Sequence, residues 1–351
     1  MTTILQFIGV LAALIILHEL GHFLACRLFG VDVEEFGIGF PPRLTKLFEA
    51  NGTEYTLNWL PLGGFVRPKG ENDPAVEDGL AAANPWVRIG VLFAGPLMNL
   101  LAAVIVYAVI FAQLGVPDIQ TVKILEVAPN SPAERAGLQA EDVITEINQV
   151  PIRSSNDLRE EIYSNLGEQI SLKYQRGEEI SQVSLVPRKD PPEGEGAIGI
   201  VMTNPVREVG VVEALPRGVV TTARHSIAVL SLPAQLIAGG SAEEVGRPLG
   251  YKGMYDVYQG ATEQELIPGT SSLVNVLFFV AAITVSLGVL NLFPIPALDG
   301  GRILLVLPEI ILRRRVSQKA KNVLNAVGFI SMILILIYIN ILDFTSPIQL
   351  P

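Results

Sequence analysis

Four long stretches of the chain are apolar enough to cross a lipid bilayer. They cover residues 4–26, 89–116, 271–298 and 323–342. The last two contain no Asp, Glu, Lys, Arg or His, and Tyr107 is the only ionisable side chain in the second. A membrane-spanning helix needs about 20 predominantly apolar residues. A buried helix of a soluble protein could imitate one such stretch but not all four, so the pattern predicts four transmembrane helices.

The first stretch occupies the position of a secretory signal peptide. However, no Lys or Arg precedes it, its apolar run is long, and no small-residue cleavage site follows it. We therefore expect residues 4–26 to remain in the protein as a membrane span.

A soluble pattern replaces the apolar one after the second stretch. Between 122 and 187, strand-like alternation and helix-start signals follow one another. The predicted strands cover 122–127, 142–148, 170–174 and 183–186, and the predicted helices start with Ser131-Pro132 and Asn156. This order predicts one small α+β domain over residues 120–190.

The chain from 191 to 270 has a different character. Residues 191–196 form a linker rich in Pro, Gly and Glu, and the apolar residues of 219–237 recur with a helical rhythm. Pro233 would kink or end that helix. The helix could lie on the outer membrane surface or pack against the third span, and the sequence leaves both interpretations open.

Composition agrees with a membrane protein. Of the 351 residues, 50% are hydrophobic and 17% are charged, whereas soluble domains carry about 25% charged residues. The single cysteine, Cys26, excludes an intramolecular disulfide. The net charge of -10 argues against nucleic acid as the main partner.

The distribution of basic residues predicts the orientation in the membrane. Segments 27–88 and 302–321 each carry six Lys and Arg residues, and neither terminus beyond the outer spans carries any. Cytoplasmic loops are enriched in Lys and Arg, so these two segments should be cytoplasmic. Segment 117–270, with 13 basic and 22 acidic residues, should then lie outside, as should both termini.

The first apolar stretch contains the pattern His18-Glu19-Leu20-Gly21-His22. Positions i and i+4 share one face of a helix, so both imidazoles can reach a single metal ion. Glu19 can then face a water on that metal. The alternative is a group of polar side chains that contact neighbouring helices. Ionisable groups inside a span usually mark function, and we therefore favour metal binding.

A third metal ligand has to come from elsewhere in the chain. Catalytic zinc normally takes three protein ligands and keeps one position for water. An extended metzincin pattern would need a glycine and a histidine at positions where Ala25 and Leu28 stand. His225, the remaining histidine, lies in the segment predicted on the opposite side of the membrane. A carboxylate is therefore expected.

Asp299 is the first charged residue after the third apolar stretch. Pro294 and Pro296 forbid a regular helix before it, whereas Gly300 and Gly301 allow sharp bends after it. Irregular backbone at membrane depth is tolerated where it is buried in protein or lines a wet cavity. From the residues alone, Asp299 is either the third ligand or a helix cap.

These motifs together resemble those of the site-2 protease family of intramembrane zinc metalloproteases, in its bacterial regulator-of-sigma-E protease branch. The resemblance extends to four further segments: Phe36-Gly37-Ile38-Gly39-Phe40, Pro61-Leu62-Gly63-Gly64-Phe65-Val66, Gly95-Pro96-Leu97-Met98-Asn99 and Gly246-Arg247-Pro248-Leu249-Gly250. Pro41 departs from the family pattern, because many relatives have glycine there. The segment with Ser131-Pro132-Ala133 resembles a PDZ domain, present in one copy where some relatives carry two.

The resemblance implies a polytopic α-helical membrane protein with four transmembrane helices, a membrane-associated β-hairpin and one inserted α+β PDZ domain. It implies that His18, His22 and Asp299 bind Zn2+ and that Glu19 is catalytic. Expected domains are 1–116 with the first two spans, 120–190 with the PDZ fold, 191–270 with the linker and amphipathic helix, and 271–351 with the last two spans. The expected location is the bacterial cytoplasmic (inner) membrane.

The expected activity is regulated intramembrane proteolysis of single-span membrane proteins, such as anti-sigma factors or remnant signal peptides. A strand edge at Gly37 and Gly39 would hold the unwound substrate, and Asn291 would either hydrogen-bond its backbone or pack between helices. The PDZ domain would bind a peptide or act as a steric gate. Two other classes are a PDZ membrane adaptor with structural zinc and a transporter, although the spans carry few polar residues for the latter.

Overall fold

The computed structural model describes residues 2–239, 247–263 and 270–347. The chain forms two compact units. One comprises Met1–Phe111 with Val211–Pro351, and the other comprises Ala112–Gly210. The Gly246–Gly250 family segment is described only from Arg247 onward.

The helices, numbered in chain order, include four that are long and apolar enough to cross a membrane. They are α1 (Thr2–Leu28), α2 (Pro85–Leu114), α3 (Pro132–Arg135), α4 (Ser155–Ser164), α5 (Val211–Ile237), α6 (Tyr251–Glu263), α7 (Ser272–Asn291), α8 (Asp299–Leu312) and α9 (Gln318–Thr345). The four membrane candidates are α1, α2, α7 and α9, so each of the four apolar stretches forms a helix long enough for a span, as predicted.

Helix boundaries in the first unit follow local chemistry. Helix α7 begins after Ser271, whose hydroxyl accepts a hydrogen bond from the Val274 amide, and it ends at Asn291, before Pro294. Pro233 lies inside α5, which continues to Ile237. An amphipathic helix is thus present where the sequence predicts one.

A folded β-hairpin lies between α1 and α2. It consists of β1 (Val33–Ala50) and β2 (Thr53–Pro68), joined by Asn51 and Gly52 at φ of 50° and 76°. Such a turn needs positive φ at both positions, which Asn and Gly adopt most readily. The hairpin confirms the element expected around Phe36–Phe40.

Both strands bend, so the hairpin forms four side-by-side segments. Residues 35–38 of β1 pair with 54–57 of β2 on one side and with 64–67 of β2 on the other. Residues 43–50 pair with the outer side of 53–58. Consequently, 64–67 is an edge of this sheet among the described residues, whereas 35–38 is interior.

The second unit contains the remaining strands. They are β3 (Val116–Pro117), β4 (Val122–Val127), β5 (Val143–Ile147), β6 (Val150–Pro151), β7 (Ile170–Arg176), β8 (Glu179–Leu185), β9 (Ile200–Thr203) and β10 (Val206–Arg207). The main sheet has the order β8-β7-β5-β4-β9, with β6 beside β5, and β3 pairs with β10. The strands predicted at 122–127, 142–148, 170–174 and 183–186 are all present.

The core of this unit is formed by apolar side chains from the sheet and from α4. Ile124, Ile147, Leu158 and Leu172 are fully buried. Strand β9 lies within 191–270, the range expected to hold only the linker and the amphipathic helix. Its four residues follow the Pro/Gly-rich run and are too few to show alternation. The compact unit accordingly extends to Gly210.

Candidate metal centre

Three potential metal ligands from distant parts of the chain meet in the first unit. The Nε2 atoms of His18 and His22 are 3.2 Å apart. The Oδ2 atom of Asp299 lies 3.1 Å from Nε2 of His18 and 3.4 Å from Nε2 of His22. Among the described residues, these three form the group of His, Cys, Asp or Glu side chains that could hold a metal ion.

The triangle formed by these three atoms fits one zinc ion. Zinc binds imidazole nitrogen and carboxylate oxygen at about 2.0–2.2 Å in tetrahedral sites, so two ligand atoms are separated by about 3.3–3.6 Å. The three observed separations of 3.1–3.4 Å are close to that edge length. Two imidazoles and a carboxylate also form a donor set typical of catalytic zinc, which leaves the fourth corner open.

Helix α1 supplies both histidines, and helix α2 supports them from behind. His22 Nδ1 lies 2.8 Å from the Val91 carbonyl oxygen, and His18 Nδ1 lies 3.2 Å from the amide of Asn99. Gly95 stands between Val91 and Asn99 on the same face, because these residues are spaced four apart. A Cβ built on Gly95 would come within 2.3 Å of His22 Nε2, so only glycine leaves room for the imidazoles.

Asp299 is positioned by a tight loop between α7 and α8. Ala297 has φ of 83°, and Asp299 is the first residue of α8. A Cβ on Gly300 would lie 2.1 Å from the Leu292 carbonyl oxygen, and one on Gly301 would lie 2.1 Å from that of Ile295. The two glycines therefore let the helix start pack directly on the loop, which directs the Asp299 carboxylate to the histidines.

Glu19 is the remaining carboxylate at this centre. Its Oε2 accepts a hydrogen bond of 3.0 Å from the amide of Val66, on the edge segment 64–67. Glu19, both histidines and Asp299 line one cavity of about 480 Å³. A carboxylate held in this way can accept and return a proton next to a metal.

Of the substrate-contacting residues predicted from the sequence, the structure brings one to the cavity. Asn291 lines the cavity, whereas Gly37 and Gly39 do not. Gly37 is paired with Phe65 on one side and Thr56 on the other, and the Gly39 carbonyl accepts the Asn58 amide. The predicted free strand edge is therefore wrong for Gly37, because the bends in β1 and β2 give it a strand partner on both sides. Substrate contact by Gly39 stays a prediction.

The edge beside the cavity lies instead at residues 64–67. Gly64, Phe65, Val66 and Arg67 all line the cavity. Neither this segment nor Asn99 and Gly95 has a role predicted from the sequence, although both motifs resemble family segments. The spacing of residues 91, 95 and 99, which puts them on one helix face in apolar surroundings, was the signal that could have indicated their contact with the histidines.

His225 is not part of the candidate metal centre. Its Nδ1 lies 2.8 Å from the hydroxyl of Tyr107. Its exclusion as a ligand agrees with the sequence analysis.

Comparison with known proteins covers nearly the whole chain. The sequence profile of Peptidase family M50 matches residues 6–335. The chain belongs to this family. A Clostridium acetobutylicum member named "Putative zinc metalloprotease" is 32% identical over 341 residues, which cover 96% of this chain and 95% of that protein. The protein named "Zinc metalloprotease RasP" from Oceanobacillus iheyensis is 26% identical over 431 residues, which cover 97% of this chain and 98% of that protein.

Solved structures similar to part of this M50 chain are PDZ domains. The PDZ domain of an SdrC-like protein from Listeria monocytogenes is 27% identical, covers 24% of this chain and 87% of that one, and has a TM-score of 0.22. The corresponding domain from Listeria innocua is 28% identical, covers 25% and 98%, and also has a TM-score of 0.22.

Proposed function

We propose that this M50 member is an intramembrane zinc metalloprotease that cleaves single-span membrane proteins within or beside their transmembrane helices. The supporting observation is the convergence of His18, His22 and Asp299 with Glu19 in one cavity, built from helices apolar enough to lie in a bilayer. The relatives named as zinc metalloproteases identify Zn2+ as the metal. His18, His22 and Asp299 would hold it.

Each residue has a distinct part in peptide hydrolysis. A zinc ion held by His18, His22 and Asp299 would supply Lewis acidity at the scissile carbonyl and would lower the pKa of bound water from 15.7 to about 7. The Glu19 carboxylate takes the proton from the attacking water and delivers it to the leaving amine. The Val66 amide holds one oxygen of Glu19, so the other oxygen is oriented for this exchange.

The substrate would bind as an extended strand. A transmembrane helix satisfies its own backbone hydrogen bonds, so its carbonyls become accessible only after local unwinding. The edge at residues 64–67 offers backbone groups that can pair with such an unwound segment beside Glu19. Asn291 adds a side-chain amide on the cavity wall. The substrate classes that the family resemblance implies are anti-sigma-factor-like proteins and remnant signal peptides.

We place the chain in the bacterial cytoplasmic membrane with the basic segments 27–88 and 302–321 inside the cell. Both termini and residues 112–210 then lie outside. Labelling with a membrane-impermeant thiol reagent tests this orientation, because Cys26 is the only cysteine and is buried. In a Cys26→Ala background, Tyr163→Cys should react in intact cells, whereas Arg314→Cys should react only after lysis. The reverse pattern would refute the orientation.

The second unit would serve as a PDZ domain for substrate or peptide. Strand β9 is at an edge of the main sheet, so an extended peptide can add to it. A peptide titration followed by chemical shifts of residues 200–203 distinguishes this role from that of a steric gate. Shift changes confined to β9 support peptide addition, and their absence supports the gate.

An adaptor with structural zinc fits this centre less well. Structural zinc sites are usually closed by four protein ligands. The group found among the described residues has three members and borders an open cavity.

Cleavage of a model transmembrane substrate by the purified protein tests the proposed activity. Glu19→Gln should abolish cleavage and retain one zinc per chain, whereas His18→Ala should lose both cleavage and zinc. Glu34→Gln is a matched control, because Glu34 is an exposed glutamate on β1. Undiminished cleavage by Glu19→Gln would disprove the enzyme assignment.

A further inference from the structure

The two histidines of the candidate metal centre have different partners at Nδ1. His22 Nδ1 faces the Val91 carbonyl oxygen at 2.8 Å. A carbonyl only accepts hydrogen bonds, so this nitrogen carries the proton and Nε2 keeps a lone pair for a metal. Hydrogen bonds at the second ring nitrogen commonly set the tautomer of metal-binding histidines in this way.

His18 faces an amide, which can either donate or accept. The Nδ2 atom of Asn99 lies 3.2 Å from His18 Nδ1, and its Oδ1 atom has no hydrogen-bond partner among the described residues. Asn99 is fully buried, so solvent cannot serve this oxygen. With Nδ2 donating, the His18 proton is on Nε2, where it can be donated to Asp299 at 3.1 Å. That tautomer cannot bind a metal through Nε2.

Rotation of the Asn99 amide by half a turn reverses these roles. Oδ1 then accepts the proton of His18 Nδ1, and Nε2 has a lone pair directed towards His22 and Asp299. The two ends of an amide are nearly equal in size, so the rotation needs no change in packing volume. Only this orientation makes both imidazoles metal ligands at the same time.

We propose that Asn99 is a positioning residue that selects the metal-binding tautomer of His18 by accepting its Nδ1 proton. This inference rests on the proposed zinc site and extends it to helix α2. Val91 and Asn99, eight residues apart, would thus orient the two histidines separately. The Val91 contact is made by a backbone carbonyl, which a side-chain substitution does not remove. The Asn99 contact is made by a side chain, so a substitution at Asn99 removes it without changing the backbone.

Zinc affinity measured by competition with a chelator tests this role in the full-length protein in detergent. Asn99→Leu keeps a similar volume but has no acceptor, and the loss of such partners typically weakens metal binding 10–100-fold. Asn99→Asp restores an acceptor and should bind zinc at least as tightly as the parent. Asn325→Leu is the matched control, because the Asn325 amide oxygen is also buried and has no partner in the described part of the chain, but it belongs to α9. This variant should change zinc affinity less than about threefold.

The outcomes separate this proposal from the proposed function. If the parent chain binds no zinc, the metal site itself is refuted. If the parent binds zinc and Asn99→Leu binds it equally well, the metal site stands and the role of Asn99 is refuted. The thermal midpoint of metal-free protein identifies a variant that is merely misfolded. In that event Asn99→Ala repeats the test, with rescue by Asn99→Asp as the deciding comparison.

Discussion

Gly95 packs so closely on His22 that a single added methyl group would occupy the candidate metal centre. A Cβ at this position would lie 2.3 Å from Nε2 of His22 and 2.8 Å from Nε2 of His18. These are the atoms that would bind zinc. The close approach of α2 to α1 therefore depends on the absence of a side chain at one residue.

We expect Gly95→Ala to lower zinc affinity at least tenfold, since the imidazoles must move away from the added carbon. Zinc content after dialysis against a chelator measures the effect. Gly9→Ala is the matched control: Gly9 lies in α1, and a Cβ there would meet no atom within 4 Å. Equal zinc retention by Gly95→Ala and Gly9→Ala would contradict the geometry.

Loss of the hydrogen bond between Glu19 and Val66 should lower the rate of cleavage without lowering the zinc content. Val66→Pro removes the amide that donates to Glu19, so the carboxylate loses its orientation. We expect kcat to fall at least about tenfold, because small displacements of catalytic groups have effects of this size. Zinc content should stay unchanged.

Val66→Ala is the control for this substitution, because it shortens the side chain and keeps the amide. Its kcat should remain within a factor of about three of the parent value. If both variants lose activity equally, the side chain of Val66 matters and its amide does not.

Shortening a buried side chain in the core of the second unit should destabilise that unit, whether or not metal is bound. Leu158 is fully buried, so Leu158→Ala should reduce the free energy of unfolding of this unit by about 2–5 kcal/mol. Hydrogen exchange of residues 112–210 in the full-length protein reports this change. Ile180→Ala, at a side chain that is 61% exposed, should change it by less than about 0.5 kcal/mol.

Hydrogen bonds to Asp157 at the start of α4 should make the stability of this helix depend on pH. The Ser154 hydroxyl donates to Asp157 at 2.7 Å and the Arg153 amide donates at 3.0 Å, and these bonds lower the pKa of Asp157 below its usual 3.8. A lowered pKa in the folded state stabilises the fold above pH 3.8, and this contribution disappears as the pH falls through the lowered value. In Ser154→Ala, hydrogen-exchange protection of 155–164 should depend less on pH below 4.

The apolar helices and the pair His18 and His22 could be identified from the sequence because each has a local signature. His18 and His22 are separated by one helical turn, and uninterrupted apolar runs identify spans by length alone. Asp299 was harder to assign, since its partner His18 is 281 positions away in the chain. Only the three-dimensional contact distinguishes a ligand from a helix cap at that position.

The errors arose where tertiary pairing decides the outcome. Gly37 belongs to a strand, as predicted, but the bends that give residues 35–38 two partners depend on long-range register rather than on local pattern. From the sequence, Asn99 looks like an ordinary polar residue between packed helices. Its proposed role towards His18 follows only from the ring nitrogen that it faces. Strand β9 is too short to show a period.

The distance along the chain between His18 and Asp299 has a consequence for biosynthesis. A ribosome completes α1 long before it reaches α8, so a nascent or truncated chain presents two imidazoles without their acidic counterpart. Proteolytic activity would consequently arise only after the later helices have inserted into the membrane and packed against α1. An incompletely synthesised chain would thus be unable to cleave other membrane proteins, because Asp299 is translated late.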